Sequence, residues 1–344
     1  MNTGSTFEQN QLEKILVGVF NPKEKKAPIP LRRARPKVVV LAGPTASGKT
    51  EMGLFLSNAL RGEIISADSM QIYRGMDIGT AKATPQQQAL VPHHLIDIRS
   101  VRESFNVVDF YHEARHYCEK LSSHNVVPIV VGGSGFYIHT LLYGPPNGPP
   151  SIPEVRKALE EEANRLGIDK LYERLVALDK NYAESITPHD RQKIIRALEI
   201  ITLSGNSVSV LPWKERNMYS GYDFRCWFIH RSRENLYHRI EKRCDEMIEK
   251  GLLKEIASLE ENGLKENLSA SQSIGYRQGL EYLQTNRKEE DYDEFIRNFK
   301  QASKRYVKRQ FTWFRRESQF RWLDLELHDL ETAVDIIIQD YKRN

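Results

Sequence analysis

The feature that most constrains the fold is a glycine-rich motif that directly follows an apolar run. Residues 43–50, Gly-Pro-Thr-Ala-Ser-Gly-Lys-Thr, fit the phosphate-binding pattern G-x-x-x-x-G-K-[ST]. Residues 38–42 before it are continuously apolar, which is typical of a buried parallel strand, and residues 49–60 after it have the spacing of a helix. Strand, loop and helix in this order predict a P-loop within a parallel α/β sheet.

The alternation of strand and helix continues along the chain. We expect strands at 63–66 and 126–131 and helices at 107–122 and 136–143. The segment 144–153, Gly-Pro-Pro-Asn-Gly-Pro-Pro-Ser-Ile-Pro, is the strongest break, and a purely helical stretch follows it. Strand character returns at 224–230, then helices run to about residue 316, and a short strand near 320–323 precedes a last helix.

These patterns predict a P-loop NTPase-like parallel sheet core with a mostly helical insertion domain. A length of 344 residues suits about two domains. We expect a tail and linker at 1–36, the first part of the catalytic core at 37–150, the insertion at 151–215 and the second part of the core at 216–344. Within the tail, Leu12–Phe20 has helical spacing, and the basic linker after it reads as a solvated segment.

Composition excludes several classes of protein. Cys118, Cys226 and Cys244 are far apart and form no C-x-x-C, so a disulfide framework or a structural zinc site is not expected. No apolar run approaches the ~18 residues of a membrane span, and the first residues do not read as a signal or transit peptide. We therefore expect a cytoplasmic monomer without a membrane partner. With a net charge of only +4, nucleic-acid binding would need local clusters of positive charge.

The P-loop predicts a bound diphosphate or triphosphate. Backbone N–H groups of such a loop point at phosphate oxygens, Lys49 adds positive charge, and the Thr50 hydroxyl can ligate Mg²⁺. The base-recognition motif N-K-x-D of GTPases is absent, and the apolar run at 126–131 ends in Gly-Gly-Ser rather than in the aspartate of many ATPases. Small-molecule kinases and other transferases remain.

A carboxylate follows the second predicted strand. Ligands of doubly wound sheets lie beyond the carboxyl ends of the strands, so Asp68 should face the phosphate site. There it could accept a proton from an attacking group or hold Mg²⁺; the structural alternative is a turn or helix cap. The neighbouring pair His93-His94 reads as structural, because adjacent side chains point in different directions and a third metal ligand is missing nearby.

Six segments in order resemble the tRNA dimethylallyltransferase (tRNA isopentenyltransferase) family, in its bacterial form. They are GPTASGKT, ADSMQIYRGMDIGTAK, PHHLIDI, VVGGSGFYI, SIGYRQ and KRQFTWFR. The resemblance covers about 37–323, and the long second segment is far more specific than the P-loop. It implies transfer of a dimethylallyl group from dimethylallyl diphosphate to N6 of the adenosine 3′-adjacent to the anticodon, with diphosphate as the leaving group and Mg²⁺ as cofactor.

The resemblance also implies which residues form the site. The catalytic residues would be Thr45, Lys49, Asp68 and Arg233. The diphosphate or nucleotide would bind Gly43, Pro44, Thr45, Ala46, Ser47, Gly48, Lys49 and Thr50, with Thr50 also on the metal. The anticodon stem-loop of tRNA would contact Asp68, Ser69, Met70, Gln71, Ser134, Arg156, Gln192, Lys193, Ile194, Ile195, Arg196, Gln272, Ser273, Ile274, Gly275, Tyr276, Arg277, Lys308, Arg309, Gln310, Phe311, Thr312, Trp313, Phe314 and Arg315.

A basic, aromatic stretch supports RNA binding independently of the family. Residues 297–316 hold eight Lys or Arg residues interleaved with aromatic ones and no acidic residue. Lys300, Lys304 and Lys308 recur every four residues and would share one helical face. Cations can contact phosphates, and aromatic rings can stack on extruded bases. The alternative is a solvated helix face with buried aromatics.

Three other functions remain open. They are an isopentenyltransferase that acts on free adenine nucleotides in cytokinin synthesis, an ATP-dependent small-molecule kinase, and a non-catalytic RNA-binding NTPase. The helical insertion and the basic stretch argue against the first, because a mononucleotide needs neither. Asp68 and its flanking segment argue against the other two.

Overall fold

The computed structural model describes residues 35–211, 218–219 and 221–343. Within them, six strands form one parallel sheet in the order β3-β2-β4-β1-β5-β6, which confirms the predicted α/β class. The strands are β1 (Lys37–Ala42), β2 (Gly62–Ala67), β3 (His93–His94), β4 (Val127–Gly132), β5 (Asp223–His230) and β6 (Arg321–Asp324). The helix expected at Leu12–Phe20 lies outside the described residues.

The helices cover both faces of the sheet and fill the long stretch between β4 and β5. They are α1 (Lys49–Leu60), α2 (Pro85–Leu90), α3 (Val107–Ser123), α4 (Gly135–Tyr143), α5 (Pro153–Leu166), α6 (Ile168–Leu178), α7 (Lys180–Glu184), α8 (Arg191–Ser204), α9 (Arg233–Glu249), α10 (Leu252–Glu261), α11 (Leu268–Ser271), α12 (Tyr276–Leu283), α13 (Glu289–Phe314) and α14 (Leu330–Lys342). Among the described residues, none of the helices combines the length and apolar character needed to cross a membrane.

Burial on both faces explains why β1 reads as an unbroken apolar run. Val38, Val40 and Ala42 belong to the larger apolar cluster on one face of the sheet. Val39 and Leu41 point the other way, into a cluster with α1 and α14. Strands covered on both sides by helices need apolar side chains at every position.

The carboxyl ends of three adjacent strands meet at one edge of the sheet. Ala42 of β1 and Ala67 of β2 are both in register with Gly132 of β4. Gly132 packs so closely against the Ala67 carbonyl that a Cβ would collide with it. The P-loop after β1, Asp68 after β2 and the Gly-Gly turn after β4 therefore converge, as expected for a doubly wound sheet.

The helices that follow the proline-rich segment have an apolar cluster of their own. Leu159 of α5, Leu175 of α6 and Ile194 of α8 are at its centre. Residues 36–344 as a whole form one compact unit. The division of the chain at residues 150 and 215 stays a prediction.

Candidate functional site

A cavity of about 330 Å³ lies at the carboxyl edge of the sheet. One side, the sheet wall, consists of Thr45, Lys49 and Thr50 of the P-loop together with residues from the segments 66–71 and 131–133. The other side, the helical wall, consists of α9, residues 269–276 and α13. The predicted site residues that line the cavity are Thr45, Lys49, Thr50, Asp68, Ser69, Met70, Gln71, Gln272, Ser273, Ile274, Tyr276, Arg309 and Gln310.

The P-loop has the conformation that phosphate binding requires. Ala46 and Gly48 have positive φ angles of 64° and 109°, and glycine adopts such angles without strain. Gly43 lies against the Ile229 carbonyl of β5, where a Cβ would collide. Helix α1 begins at Lys49, so the N–H groups of its first turn have no partner within the helix. They and the helix dipole form a ready anion site.

Two cations of the cavity lie close together. Lys49 Nζ donates to the Pro44 carbonyl at 2.7 Å. Burial, then the charge of Arg243, lowers the pKa of Lys49 to about 7, and Asp68 partly opposes the shift. Burial also lowers the pKa of Arg243, again opposed by Asp68. An anion is expected to bind favourably at this site, because its negative charge would raise the pKa of Lys49 and so restore the full positive charge of the side chain.

Asp68 combines a turn-capping role with a free oxygen. Its Oδ1 accepts hydrogen bonds from the N–H groups of Met70 at 2.9 Å and Gln71 at 3.4 Å. From the described part of the chain, Oδ2 receives no hydrogen bond, while the residue lines the cavity. The predicted structural role, a turn cap, is therefore correct for Oδ1, whereas Oδ2 remains available to accept a proton.

Gln310 joins the helical wall to the sheet wall. Its Oε1 accepts from Thr45 N and its Nε2 donates to the Gly133 carbonyl, both at 3.0 Å. The side chain is buried. Gln310 was assigned to tRNA contact on the resemblance, but these bonds use its polar atoms to position the P-loop.

The long segment after β2 is held by one glutamate of α10. Glu255 Oε2 accepts from the N–H groups of Asp77 and Ile78, and its Oε1 accepts from Gly79 N and the Tyr276 hydroxyl. Nearby, Ser134 Oγ accepts from Ser69 N at 3.2 Å. This network gives a physical reason for the length of the second motif, because its backbone must be fixed beside Asp68.

The structure does not bring Arg233 into the cavity. Arg233 is exposed at the first turn of α9. Arg243, ten residues further along the same helix, lines the cavity instead. At 1.5 Å per residue the two are about 15 Å apart along the helix axis.

Several residues predicted to contact tRNA are buried, which corrects their assignment. Ile194 and Ile195 pack in the core of the insertion helices because α8 needs an apolar face there. Tyr276 and Phe314 are also fully buried, in the main core. These side chains stabilise the fold, so we expect contact with tRNA from neighbouring residues instead.

The exposed or half-buried members of the predicted tRNA set lie on three surfaces. On α8, Gln192 and Lys193 are exposed, while Arg196 pairs with Glu199 at 2.7 Å. Arg156 of α5 lies 3.8 Å from the same carboxylate. Near α12 they are Gln272, Ser273, Ile274 and Arg277, and at the end of α13 they are Lys308, Arg309, Phe311, Thr312, Trp313 and Arg315.

The basic face of α13 is partly neutralised. Lys300 pairs with Asp245 at 2.7 Å, and Lys304 pairs with Glu241; both acids belong to α9. Lys308, one turn further, is exposed. Lys300 and Lys304 share one helical face, as predicted, but this face contacts α9. The exposed cations of the stretch are Arg297, Arg305, Lys308, Arg309, Arg315 and Arg316.

The residues that sequence reasoning missed come from helix positions without a motif. Ile240, Arg243, Cys244 and Met247 of α9 line the cavity with the spacing of one helix face. Tyr306 of α13 does the same. Only the helical periodicity of the sequence could have grouped these residues, and periodicity does not show which part of the protein such a face contacts.

The donor atoms fit Mg²⁺ held together with a phosphate ligand. In the described ranges, no group of three or more His, Cys, Asp or Glu side chains is placed to hold a metal by itself. Thr50 and Asp68 line the same cavity. Mg²⁺ typically takes one or two protein oxygens plus substrate phosphates and water. His93 also lines the cavity, but its Nδ1 lies 2.7 Å from the Val91 carbonyl, and His94 Nε2 lies 2.6 Å from Glu63.

A second cavity, of about 560 Å³, also adjoins the P-loop and shares Lys49, Thr50 and Arg243 with the first. Arg239 and Lys242 of α9 line it together with residues 46–51. Arg239 Nε donates to the Ala46 carbonyl at 2.8 Å, and Arg231 Nε donates to the Ser47 carbonyl at 3.3 Å. Asp68 is not among its lining residues, so the first cavity is the better candidate for chemistry.

A family model and several known proteins are similar to this chain. The IPP transferase family model matches residues 71–317. A tRNA dimethylallyltransferase of Protochlamydia amoebophila is 55% identical over 97% of this chain and 97% of its own length. The structure is similar to that of the tRNA delta(2)-isopentenylpyrophosphate transferase of Staphylococcus epidermidis, with a TM-score of 0.64 and 36% identity over 89% of this chain and 98% of that one.

A eukaryotic dimethylallyltransferase acting on tRNA is also similar, with a TM-score of 0.72 and 26% identity over 88% of this chain and 77% of that one. The P-loop NTPase-like core predicted from the sequence is shared with these neighbours. The matched region contains the chain from Gln71 onward, including α9 and α13 of the helical wall and the helices between β4 and β5. By this evidence the chain belongs to the IPP transferase family, the family of the tRNA dimethylallyltransferases.

Proposed function

We propose that this protein transfers a dimethylallyl group from dimethylallyl diphosphate to tRNA, at N6 of the adenosine 3′-adjacent to the anticodon. Transfer to tRNA is what the names of its relatives describe. The observation that carries the proposal is that Lys49, Arg243 and Asp68 line the same cavity.

The sheet wall would bind the donor through its diphosphate. N–H groups of the P-loop and the first turn of α1 would hold phosphate oxygens, with Lys49 and Arg243 adding positive charge. Negative charge grows on the diphosphate as it departs. Cations and N–H groups already in place therefore stabilise the transition state more than the ground state.

Asp68 would assist the acceptor. The lone pair of N6 forms a bond to C1 of the donor while the C1–O bond breaks, and the electron pair of that bond leaves with diphosphate. The N6 proton passes to the free Oδ2 of Asp68, whose Oδ1 is fixed by two backbone N–H groups. The fixed oxygen orients the carboxylate, and the free one accepts the proton.

Mg²⁺ is the cofactor that this donor set would accept. Thr50 would hold it next to the diphosphate. When bound, it neutralises charge on the phosphate oxygens.

The exposed cations of α13, together with Lys193 on α8, would contact the anticodon stem-loop. Lys308, Arg309 and Arg315 lie at the end of α13 that carries Gln310 and thus reaches the P-loop. Phosphate contacts of this kind position an RNA, and the cavity then selects the base. We also propose that the protein acts as a monomer.

Mass spectrometry of tRNA nucleosides would test this function. Wild-type protein, Mg²⁺, dimethylallyl diphosphate and an unmodified tRNA should yield N6-dimethylallyladenosine at the nucleotide next to the anticodon. A tRNA with guanosine at that nucleotide is the matched control and should gain no prenyl group. Product formed on free AMP but not on tRNA would contradict the proposal and favour the mononucleotide enzyme.

A further inference from the structure

An adenine that reacts beside Asp68 needs a flat surface to stack on. A base taken out of its helical stack loses its neighbours, and proteins replace them with aromatic or arginine side chains. Three Phe or Tyr side chains line the cavity: Tyr276, Phe299 and Tyr306. Tyr276 and Phe299 are 0% and 2% exposed, whereas Tyr306 is partly exposed. Only the third ring offers accessible surface to a ligand in the cavity.

Tyr306 lies on the helical wall, four residues before Gln310. Phe299, Ser303, Tyr306 and Gln310 line the cavity as one stripe of α13. Gln310 hydrogen-bonds Thr45 of the P-loop. Tyr306 precedes it by four residues, about 6 Å along the helix axis. Along the helix axis, Tyr306 is therefore about one turn away from the residue that contacts the P-loop.

The ring of Tyr306 is held next to Asp68. Its hydroxyl lies near Ser134, whose Oγ accepts from Ser69 N, the residue after Asp68. The guanidinium of Arg309 lies 5.4 Å from the ring centroid. Burial, together with the charge of Asp68, raises the pKa of Tyr306 to about 12, so the phenol is neutral at physiological pH. These contacts preorganise the ring rather than leave it free to rotate.

We propose that the Tyr306 ring, backed by Arg309, is the platform on which the acceptor adenine stacks while its N6 faces Asp68. The inference rests on the proposed function, because it assumes that the acceptor is a base. The ring carries this role, whereas the hydroxyl only fixes its orientation. Tyr306 therefore positions the acceptor and takes no part in proton transfer.

Two variants separate the ring from the hydroxyl. Tyr306→Phe keeps the stacking surface, and Tyr306→Leu removes it while keeping an apolar side chain. Tyr237→Leu is the control, since Tyr237 is a partly buried tyrosine of α9 that packs beside Lys304 and does not line the cavity. Kcat/KM would be measured with an anticodon stem-loop RNA, and inorganic diphosphate affinity by calorimetry.

A loss of roughly 10- to 100-fold in kcat/KM for the RNA is expected in Tyr306→Leu. Tyr306→Phe and the control should stay within about three-fold of wild type, and diphosphate affinity should be unchanged in all. A stem-loop with 2-aminopurine at the target position gives a second readout. Its fluorescence should stay quenched by stacking on wild type and Tyr306→Phe, and rise several-fold on Tyr306→Leu.

Equal activity of Tyr306→Leu and wild type would overturn the platform. An equal loss in the Phe and Leu variants would do so too, because the hydroxyl would then be the essential group. Failure of the proposed function is distinguishable, since wild-type protein would then transfer no prenyl group to RNA at all. The 2-aminopurine signal would still report whether a bound base stacks on Tyr306.

Discussion

The two walls of the cavity contribute different kinds of chemical group. The sheet wall depends largely on its backbone: the first N–H groups of α1 have no partner within the helix, and two further N–H groups fix Asp68. The helical wall contributes side chains such as Arg243, Tyr306 and Gln310. Backbone groups are fixed by strand register, whereas side chains depend on how helices pack. Changes to the sheet wall should therefore affect chemistry, and changes to the helical wall should affect binding and positioning.

The largest effect should come from Asp68→Asn. Asparagine can still accept the backbone hydrogen bonds that Oδ1 receives, but it cannot take the N6 proton. General-base assistance is typically worth roughly 10²–10⁴ in rate. We expect a loss of that order in the single-turnover rate, with tRNA affinity within a few-fold of wild type. Asp68→Ala, which also loses the cap, should in addition unfold at lower temperature; a stable and fully active Asp68→Asn variant would refute the proton-transfer role.

An intermediate effect should appear in the pH dependence of diphosphate binding. The pKa of Lys49 is lowered to about 7 by burial and Arg243, so the free protein loses this proton above that pH. A bound anion favours the protonated form. Above pH 7, binding should therefore take up a proton, and affinity should fall by up to about tenfold per pH unit.

Calorimetry of inorganic diphosphate binding in buffers of different ionisation enthalpy measures that proton uptake. Lys49→Ala is the control, because titration of the diphosphate itself remains while the lysine contribution disappears. Identical proton uptake in both proteins would mean that Lys49 stays charged in the free site.

The smallest effect should separate two neighbouring lysines of α13. Lys308 is exposed, so Lys308→Ala should weaken tRNA binding a few-fold and reduce the slope of log affinity against log salt by about one. Lys304 pairs with Glu241, and Lys304→Ala should leave the slope unchanged. Filter-binding isotherms over a series of salt concentrations would measure both; equal slopes for the two variants would place the RNA elsewhere.

The contrast between the walls also explains what the sequence could predict. The sheet wall is coded by contiguous motifs, since a P-loop and the residues after a strand end need particular backbone conformations at successive positions. The strands, most helices, Lys49, Thr50 and Asp68 were predictable on that basis. The short elements α2 and β3 were missed because each is too brief to show a period.

The helical wall could not be predicted residue by residue. Arg243 and Arg233 lie on one helix, and only the packing of α9 against α13 decides which of them reaches the cavity. The motif around Ile194 and Ile195 likewise mixes surface with core, because a helix on an apolar cluster buries one face. Gln310 shows the same limit, since its partners Thr45 and Gly133 are far away in the sequence.

A crystal structure with dimethylallyl diphosphate and Mg²⁺, determined on the Asp68→Asn protein to prevent turnover, tests the central claim most directly. The account predicts diphosphate oxygens within hydrogen-bonding distance of the N–H groups of Lys49 and Thr50, which line the first cavity. Lys49 and Arg243 should contact the same group, and C1 of the donor should face residue 68. Diphosphate bound instead in the second cavity, against Arg239 and Lys242 and out of reach of residue 68, would contradict it.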